Sequence, residues 1–269
     1  DYSGSFDNSK TDPDINYGRV DEYKSSYSRM AFSNSLNIRM PKSWFKEFDV
    51  NTSLSLQLDR LRQTRLVAPQ RYGIVPLSWT DGENEAQAVY AEYMANYLCD
   101  GKPFTAYVKA KGVMGFKALG TDNKVKVGLN WDLAKNFGDG QVYDMHRPLS
   151  LTGWSSRPRK YSDIPALQNL SFFVEELMKW KWGQNKFELM AGVRLNTMPG
   201  LDDKYDMSGK VYADPRGNLA WHFPKFNVGG KPMAISLNGG IGITTKMPTL
   251  NYLYPDKYYS NFICLAYYD

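Results

Sequence analysis

Histidine and cysteine are scarce in this chain of 269 residues: His146, His222, Cys99 and Cys264 are all it has. Neither pair has the spacing of a metal knuckle, a haem attachment or a redox dithiol, so metal and thiol chemistry have no motif to stand on. The cysteines do not fix the compartment, and their connectivity is open. Long apolar runs are also missing. No stretch of about 18 apolar residues occurs, which excludes a transmembrane helix but not transmembrane strands, whose signal is alternation. Charge of one sign never gathers into a block: the net charge of +5 is spread along the chain, so a groove that tracks a nucleic-acid backbone is not indicated. Finally, the polar start "DYSGSFDNSK" has no Met, basic n-region or apolar h-region. This reads as a processed terminus or a piece of a longer chain, and an end inside the strand-like "NFICLAYYD" favours the piece.

Catalytic constellations are missing too. "GDGQ" at 138–141 is a turn signal without the Lys-Ser/Thr of a phosphate cradle. "GLDDKYD" at 200–206 brings three carboxylates together without the regular ligand spacing of a calcium loop, and reads as a solvated loop. The expectation is a protein that is not an enzyme and that needs no cofactor or metal.

Aromatic residues, by contrast, are abundant, with 19 Tyr, 13 Phe and 7 Trp. They fall into segments that alternate apolar and polar with period two, the mark of strands with two unlike faces. At 28–40, Met30, Phe32, Leu36, Ile38 and Met40 oppose Arg29, Ser33, Ser35, Asn37 and Arg39. The pattern recurs at 48–59, 104–118, 124–133, 168–182, 186–197, 212–223 and 233–244, with a ninth segment expected at 258–268. Segment 168–182 is the exception, because Glu176 shares the face of Phe172, Val174, Met178 and Trp180 and neither register avoids a carboxylate. A bulge or a neighbouring partner would account for it. One helical pattern interrupts the strands: in 84–101, Ala86, Val89, Tyr90, Tyr93, Met94, Tyr97 and Leu98 follow i, i+3, i+4 spacing before Gly101.

Connections alternate strictly. "PKSWFKE", "LGTDN", "GQN" and "PKFNVGGKP" are short, whereas 61–103, 135–167, 198–211 and 245–257 are long. An up-and-down barrel in an outer membrane has a reason for this asymmetry, with tight turns at one rim and ligand-meeting loops at the other. Lipid would then bathe the apolar face and water the polar one, and all backbone groups would pair between strands. Phe48, Phe116, Trp180, Trp182, Phe187, Trp221 and Phe223 collect near the short-turn end, as an interfacial belt does. The polar faces carry Arg39, Asp59, Lys109, Lys111, Asp132, Glu188, Arg194 and Arg216, charges that would pair with one another or with a plug inside a lumen. Ligand contacts are expected from the long loops, where Tyr72, Trp79, Tyr90, Tyr93, Trp154, Tyr161, Tyr252 and Tyr254 concentrate and could act as platforms for glycan rings.

Three stretches carry a resemblance. "ELMAGVRLNTM" (Gly192, Arg194), "YADPRGNLAWHF" (Pro215, Arg216) and "LNGGIGITTKMPTLNYLYP" (Gly240, Gly242, Pro248, Thr249, Leu250, Leu253) follow one another as the G-x-R, P-R and G-x-G…P-T-x-x-x-L strands of TonB-dependent outer-membrane receptors do. "FFVEEL" upstream is similar to the strand that precedes them. The long aromatic-rich loops resemble those of the SusC-like nutrient importers. The resemblance implies a Gram-negative outer-membrane location and energised uptake of a large nutrient such as a glycan, a peptide or an iron complex. Its implied partners are the surrounding lipid, a plug, the TonB complex and a SusD-like surface lipoprotein. Such receptors close about 22 strands around a plug. The whole of 1–269 would therefore be part of a single transmembrane β-barrel domain, with plug and remaining strands elsewhere. A passive porin and a soluble all-β glycan-binding domain stay open as alternatives. The latter would bury the apolar faces in a sandwich core.

Overall fold

A computed structural model describes residues 21–69, 73–76, 85–151 and 157–256. Its elements are β1 (Asp21–Arg39), β2 (Phe45–Val67), β3 (Gly73–Pro76), β4 (Ala86–Val89), β5 (Tyr93–Gly101), β6 (Pro103–Ala118), β7 (Thr121–Asn136), β8 (Gly140–Tyr143), β9 (Leu167–Trp182), β10 (Asn185–Thr197), β11 (Val211–His222), β12 (Phe226–Val228), β13 (Lys231–Met233), β14 (Ser236–Gly242) and α1 (Leu250–Leu253). One 3-10 turn spans Tyr161–Asp163.

Ten of the strands form one antiparallel sheet, in the order β14-β11-β10-β9-β7-β6-β2-β5-β8, with β1 on the other edge of β2. Nine of these are long and the tenth, β8, has four residues. The sheet curls into an open half-barrel. Because side chains alternate across a strand, the ladder fixes which residues share a face. Apolar side chains cover one face and stay largely uncovered: Ile241 is 85% exposed, Phe32 62% and Leu54 45%. The opposite face is the enclosed one, where Glu175, Asn196, Asp214 and Phe173 are all buried. No second sheet packs over Leu54 or Ile241 among the described residues.

The expected strands appear where alternation placed them, with four corrections. First, the pattern expected as a helix over 84–101 is extended chain, forming β4 and β5. Its helical spacing coexists with a period-two reading, Tyr93, Ala95, Tyr97 and Cys99 against Met94, Asn96, Leu98 and Asp100, and the free upper edge of β2 supplies a ladder from Asp59↔Gly101 to Val67↔Tyr93. Non-local pairing overrides local propensity here.

Second, parts of the two longest connections are sheet. β2 continues to Val67, and β5 runs on from β6 along it in unchanged register. Above Leu58 the outward positions become Arg60, Arg62 and Thr64, so the apolar outward stripe stops there. Third, β9 carries no bulge. It pairs with β7 and with β10 without a register shift, and the outward position of Glu176 needs another cause. Fourth, the strand expected at 233–244 is divided. Met233 closes the small β12–β13 hairpin, and Ser236–Gly242 form β14. The segment 258–268 lies outside the described residues.

At the short-turn end the aromatic row is continuous across three strands. Trp180 stacks on Phe187 at 5.3 Å, Phe187 on Trp221 at 5.6 Å, and Trp221 on Phe223 at 4.3 Å. At the other end the loops make small cores of their own. Leu167, Met198 and Leu201 gather Tyr205, Met207, Met247, Leu250 and Leu253, while Tyr93, Ala95 and Leu149 form a second cluster.

Candidate functional site

Two arrangements carry the chemistry: a ladder of charges on the enclosed face and a cleft among the long loops. The ladder is built by register. One transverse row runs Lys126, Glu175, Gly192, Arg216, Gly242 across β7, β9, β10, β11 and β14. Glu175 Oε1 accepts from Lys126 Nζ at 2.6 Å and its Oε2 from Arg216 Nη2 at 2.5 Å. Gly192 lies between Glu175 and Arg216. A Cβ there would stand 2.8 Å from the Val174 carbonyl oxygen and 3.2 Å from Glu175 Cβ, so only glycine lets the arginine cross β10.

The next row runs Asp49, Lys111, Gly128, Phe173, Arg194, Asp214. Lys111 Nζ holds Asp49 at 2.5 Å and Glu47 at 3.2 Å. Phe173 lies over Gly128, and the Arg194 guanidinium sits 5.5 Å from the Phe173 ring centre. Asp214 accepts from Asn196 at 2.8 Å and from the Thr245 amide at 3.0 Å. Lys109 and Asp132 occupy the same face one and two rows further on. Nearer the turns, Glu188 takes Lys179 at 2.8 Å. Of the residues singled out by the resemblance, Gly192, Arg216 and Gly242 meet in the first row, Gly240 lies under Asn218, and Pro215 stands opposite Val193. Pro248 and Thr249 lead into α1, whose first turn is held by the Thr249 carbonyl.

The cleft, about 770 Å³, lies at the long-loop end between 157–165, 202–205 and 253–256. Tyr205 and Tyr254 meet edge to face at 5.8 Å, with Lys204 Nζ 5.0 and 5.4 Å from their ring centres. Arg159 pairs with Asp256 and donates to the Tyr254 carbonyl at 2.9 Å. Burial and the neighbouring Tyr205 raise the Tyr254 hydroxyl above its ordinary pKa. The Lys204 amide and ammonium lower Asp202; desolvation pulls Lys204 down, but Asp202, Tyr205 and Tyr254 together raise it. Rings flanked by cations and carboxylates suit a polar ligand with flat apolar faces.

A third feature sits on the rim. Asp100 is 2% exposed and takes Lys102 at 2.9 Å, Arg60 at 3.1 Å and the Asp139 amide at 3.4 Å. Burial pushes its carboxyl up, but those three donors outweigh it and hold it below the usual range. The chain bulges at 137–139 because Gly138 passes so close that a Cβ would meet the Asp100 carbonyl at 2.1 Å.

Of the aromatics expected to meet ligand, Tyr254 lines the cleft and Tyr252 is exposed beside it. Tyr161 stands with its hydroxyl 3.7 Å from Cys99 Sγ. Tyr90 is exposed, and Tyr93 is buried with its hydroxyl donating to the Pro148 carbonyl at 2.7 Å. That burial raises the Tyr93 pKa to about 12. Tyr72, Trp79, Trp154 and Cys264 lie outside the described residues. Glu175, Lys126, Asp100, Lys204, Tyr205 and Arg159 were not singled out from sequence. For Glu175 a signal existed, the adjacent Glu-Glu pair in a strand, whose two members must face opposite ways. No helix among the described residues is long and apolar enough to cross a membrane, which says nothing about strands.

Compared with models of protein families, with curated proteins and with solved structures, the chain matches nothing in any of the three.

Proposed function

We propose that this half-barrel is part of the wall of a TonB-dependent outer-membrane transporter of the SusC-like kind, which takes up a large nutrient such as a glycan, a peptide or an iron complex. The observation that carries the reading is the unlike character of the two faces. A soluble protein does not leave Phe32, Leu54, Leu219 and Ile241 uncovered while it encloses Glu175, Asp214 and their cations on the other side. Lipid outside and a wet, plug-bearing lumen inside reverse that imbalance. The stacked Trp180, Phe187 and Trp221 then lie at a membrane interface, and the cleft at the opposite rim faces the ligand. The ordered Gly192–Arg216–Gly242 row favours this receptor class over a passive porin. In the mechanism the resemblance implies, outer loops and a SusD-like lid capture ligand, and the TonB complex displaces the plug.

The test is to express the entire encoding reading frame in a Gram-negative host. Expected are outer-membrane fractionation, heat-modifiable migration in gels, and nutrient uptake that a protonophore abolishes. Uptake that survives the protonophore would establish the porin instead. A detergent-free monodisperse protein would establish the soluble domain.

A further inference from the structure

Glu176 is a carboxylate on the wrong face. Its row on the outward side runs Met114, Val125, Glu176, Ala191, Gly217, Ile241, and Val174 and Met178 flank it along β9. The ladders on both sides of β9 keep one register throughout, so the side chain has no route inward. Among the described residues, the only other Asp, Glu, Lys or Arg at an outward position from the aromatic row to the row of Leu56 is Lys135, at the loop end opposite Phe104, where its Nζ donates to the Ser162 and Ile164 carbonyls. Its neighbour Glu175 faces the lumen side and takes both Lys126 and Arg216. Glu176 itself has no hydrogen bond or ion pair among the described residues.

We propose that Glu176 is the docking point for a membrane-embedded segment of a partner protein that carries a lysine or arginine at the same depth. This inference rests on the outer-membrane reading above. A lone charge in hydrocarbon is costly and calls for an opposite charge. Depth decides what can bring it. Four residues separate Glu176 from Trp180, about 13 Å along the strand, so amines of lipid headgroups at the interface stay out of reach. A second copy of the described face offers only another carboxylate at that depth. A cationic side chain on an apolar polypeptide segment satisfies both conditions. The surface beside the carboxylate fits a close approach, because Ala191 and Gly217 stand side by side and leave a shallow recess.

The test uses the entire polypeptide in its native outer membrane, with the photoreactive residue p-benzoylphenylalanine in place of Ala191. Expected is one discrete adduct, whose cross-linked peptide, read by mass spectrometry, is apolar and holds a lysine or arginine. Its yield should fall at least ten-fold in Glu176→Leu and Glu176→Lys, should persist in Glu176→Asp, and should return when Glu176→Lys meets a partner whose cation is changed to glutamate. Heat-modifiable migration confirms that each variant folds. Adducts to lipid alone, adducts between two copies, unchanged yield in Glu176→Leu, or no adduct at all would each overturn the proposal. A spin label at Val193→Cys, with Cys99 and Cys264 replaced by serine, separates the two failures. A label that collides with oxygen upholds the membrane reading whatever the cross-linker shows, whereas one open to aqueous nickel reagent overturns the membrane reading itself.

Discussion

Arg216 reaches over a neighbouring strand to hold Glu175 at 2.5 Å, and it can do so because residue 192 between them is glycine. The charge ladder is therefore a property of three adjacent strands and not of any single one. Replacing Gly192 with valine should destabilise the sheet by about 1–3 kcal/mol, because the new side chain meets the backbone of β9 and displaces the arginine. Thermal unfolding followed by circular dichroism would measure it, and an unchanged midpoint would contradict the crossing.

Glu175 is 7% exposed and answers to two cations. Glu175→Ala leaves Lys126 and Arg216 facing each other without a counter-charge. The loss is expected at about 2–3 kcal/mol, below the usual figure for a fully buried pair, since both cations remain partly open to solvent. Adding Arg216→Met to the same chain should recover part of it, which a double-mutant cycle reads directly.

The outward face provides the sharpest contrast between substitutions of one kind. Val127→Arg, outward in the middle of the sheet, should cost about 2–4 kcal/mol if hydrocarbon covers it. Ser33→Arg, on the enclosed face of β1, should cost little. Folded yield in lipid vesicles compares the two, and equal effects would argue against a membrane.

Acid should loosen the rim around Asp100. Its carboxyl is held below the ordinary carboxylate range in the fold, so its contribution is complete above that range and is lost as pH falls through the depressed value. Hydrogen exchange of peptides from 96–103 and 136–143, corrected for intrinsic rate, should speed up below about pH 4. Asp100→Asn should already be faster at neutral pH and should show no further acid step.

Arg159 ties 253–256 to the cleft wall through Asp256 and the Tyr254 carbonyl. Arg159→Ala should expose this loop to limited proteolysis at neutral pH while leaving thermal unfolding of the strands within about 0.5 kcal/mol of the parent. Cleavage at the same rate as the parent would mean that the cleft wall is held elsewhere.

Alternation in the sequence located most of the sheet because a strand whose two faces differ, one apolar and one polar, writes that difference at every second residue. Met30, Phe32, Leu36 and Ile38 on β1 are legible for that reason, and so is the misfit of Glu176. The extended state of 93–101 was not legible. Its residues satisfy both helical and strand spacings, and the choice falls to the unpaired edge of β2, which lies some 30 positions away in the chain. The pairs on the enclosed face were hidden too. Lys126, Glu175 and Arg216 come together only through the registers of β7, β9, β10 and β11.

What the sequence by itself determined, then, was the two-faced strand and its turns, since periodicity, glycine and aromatic placement are local quantities. Tertiary structure alone decided which charges meet, where β2 finds its upper partner, and that Glu176 points outward without a bulge to turn it. Those outcomes depend on ladder register between distant segments, and no local pattern encodes the offset of one strand against the next.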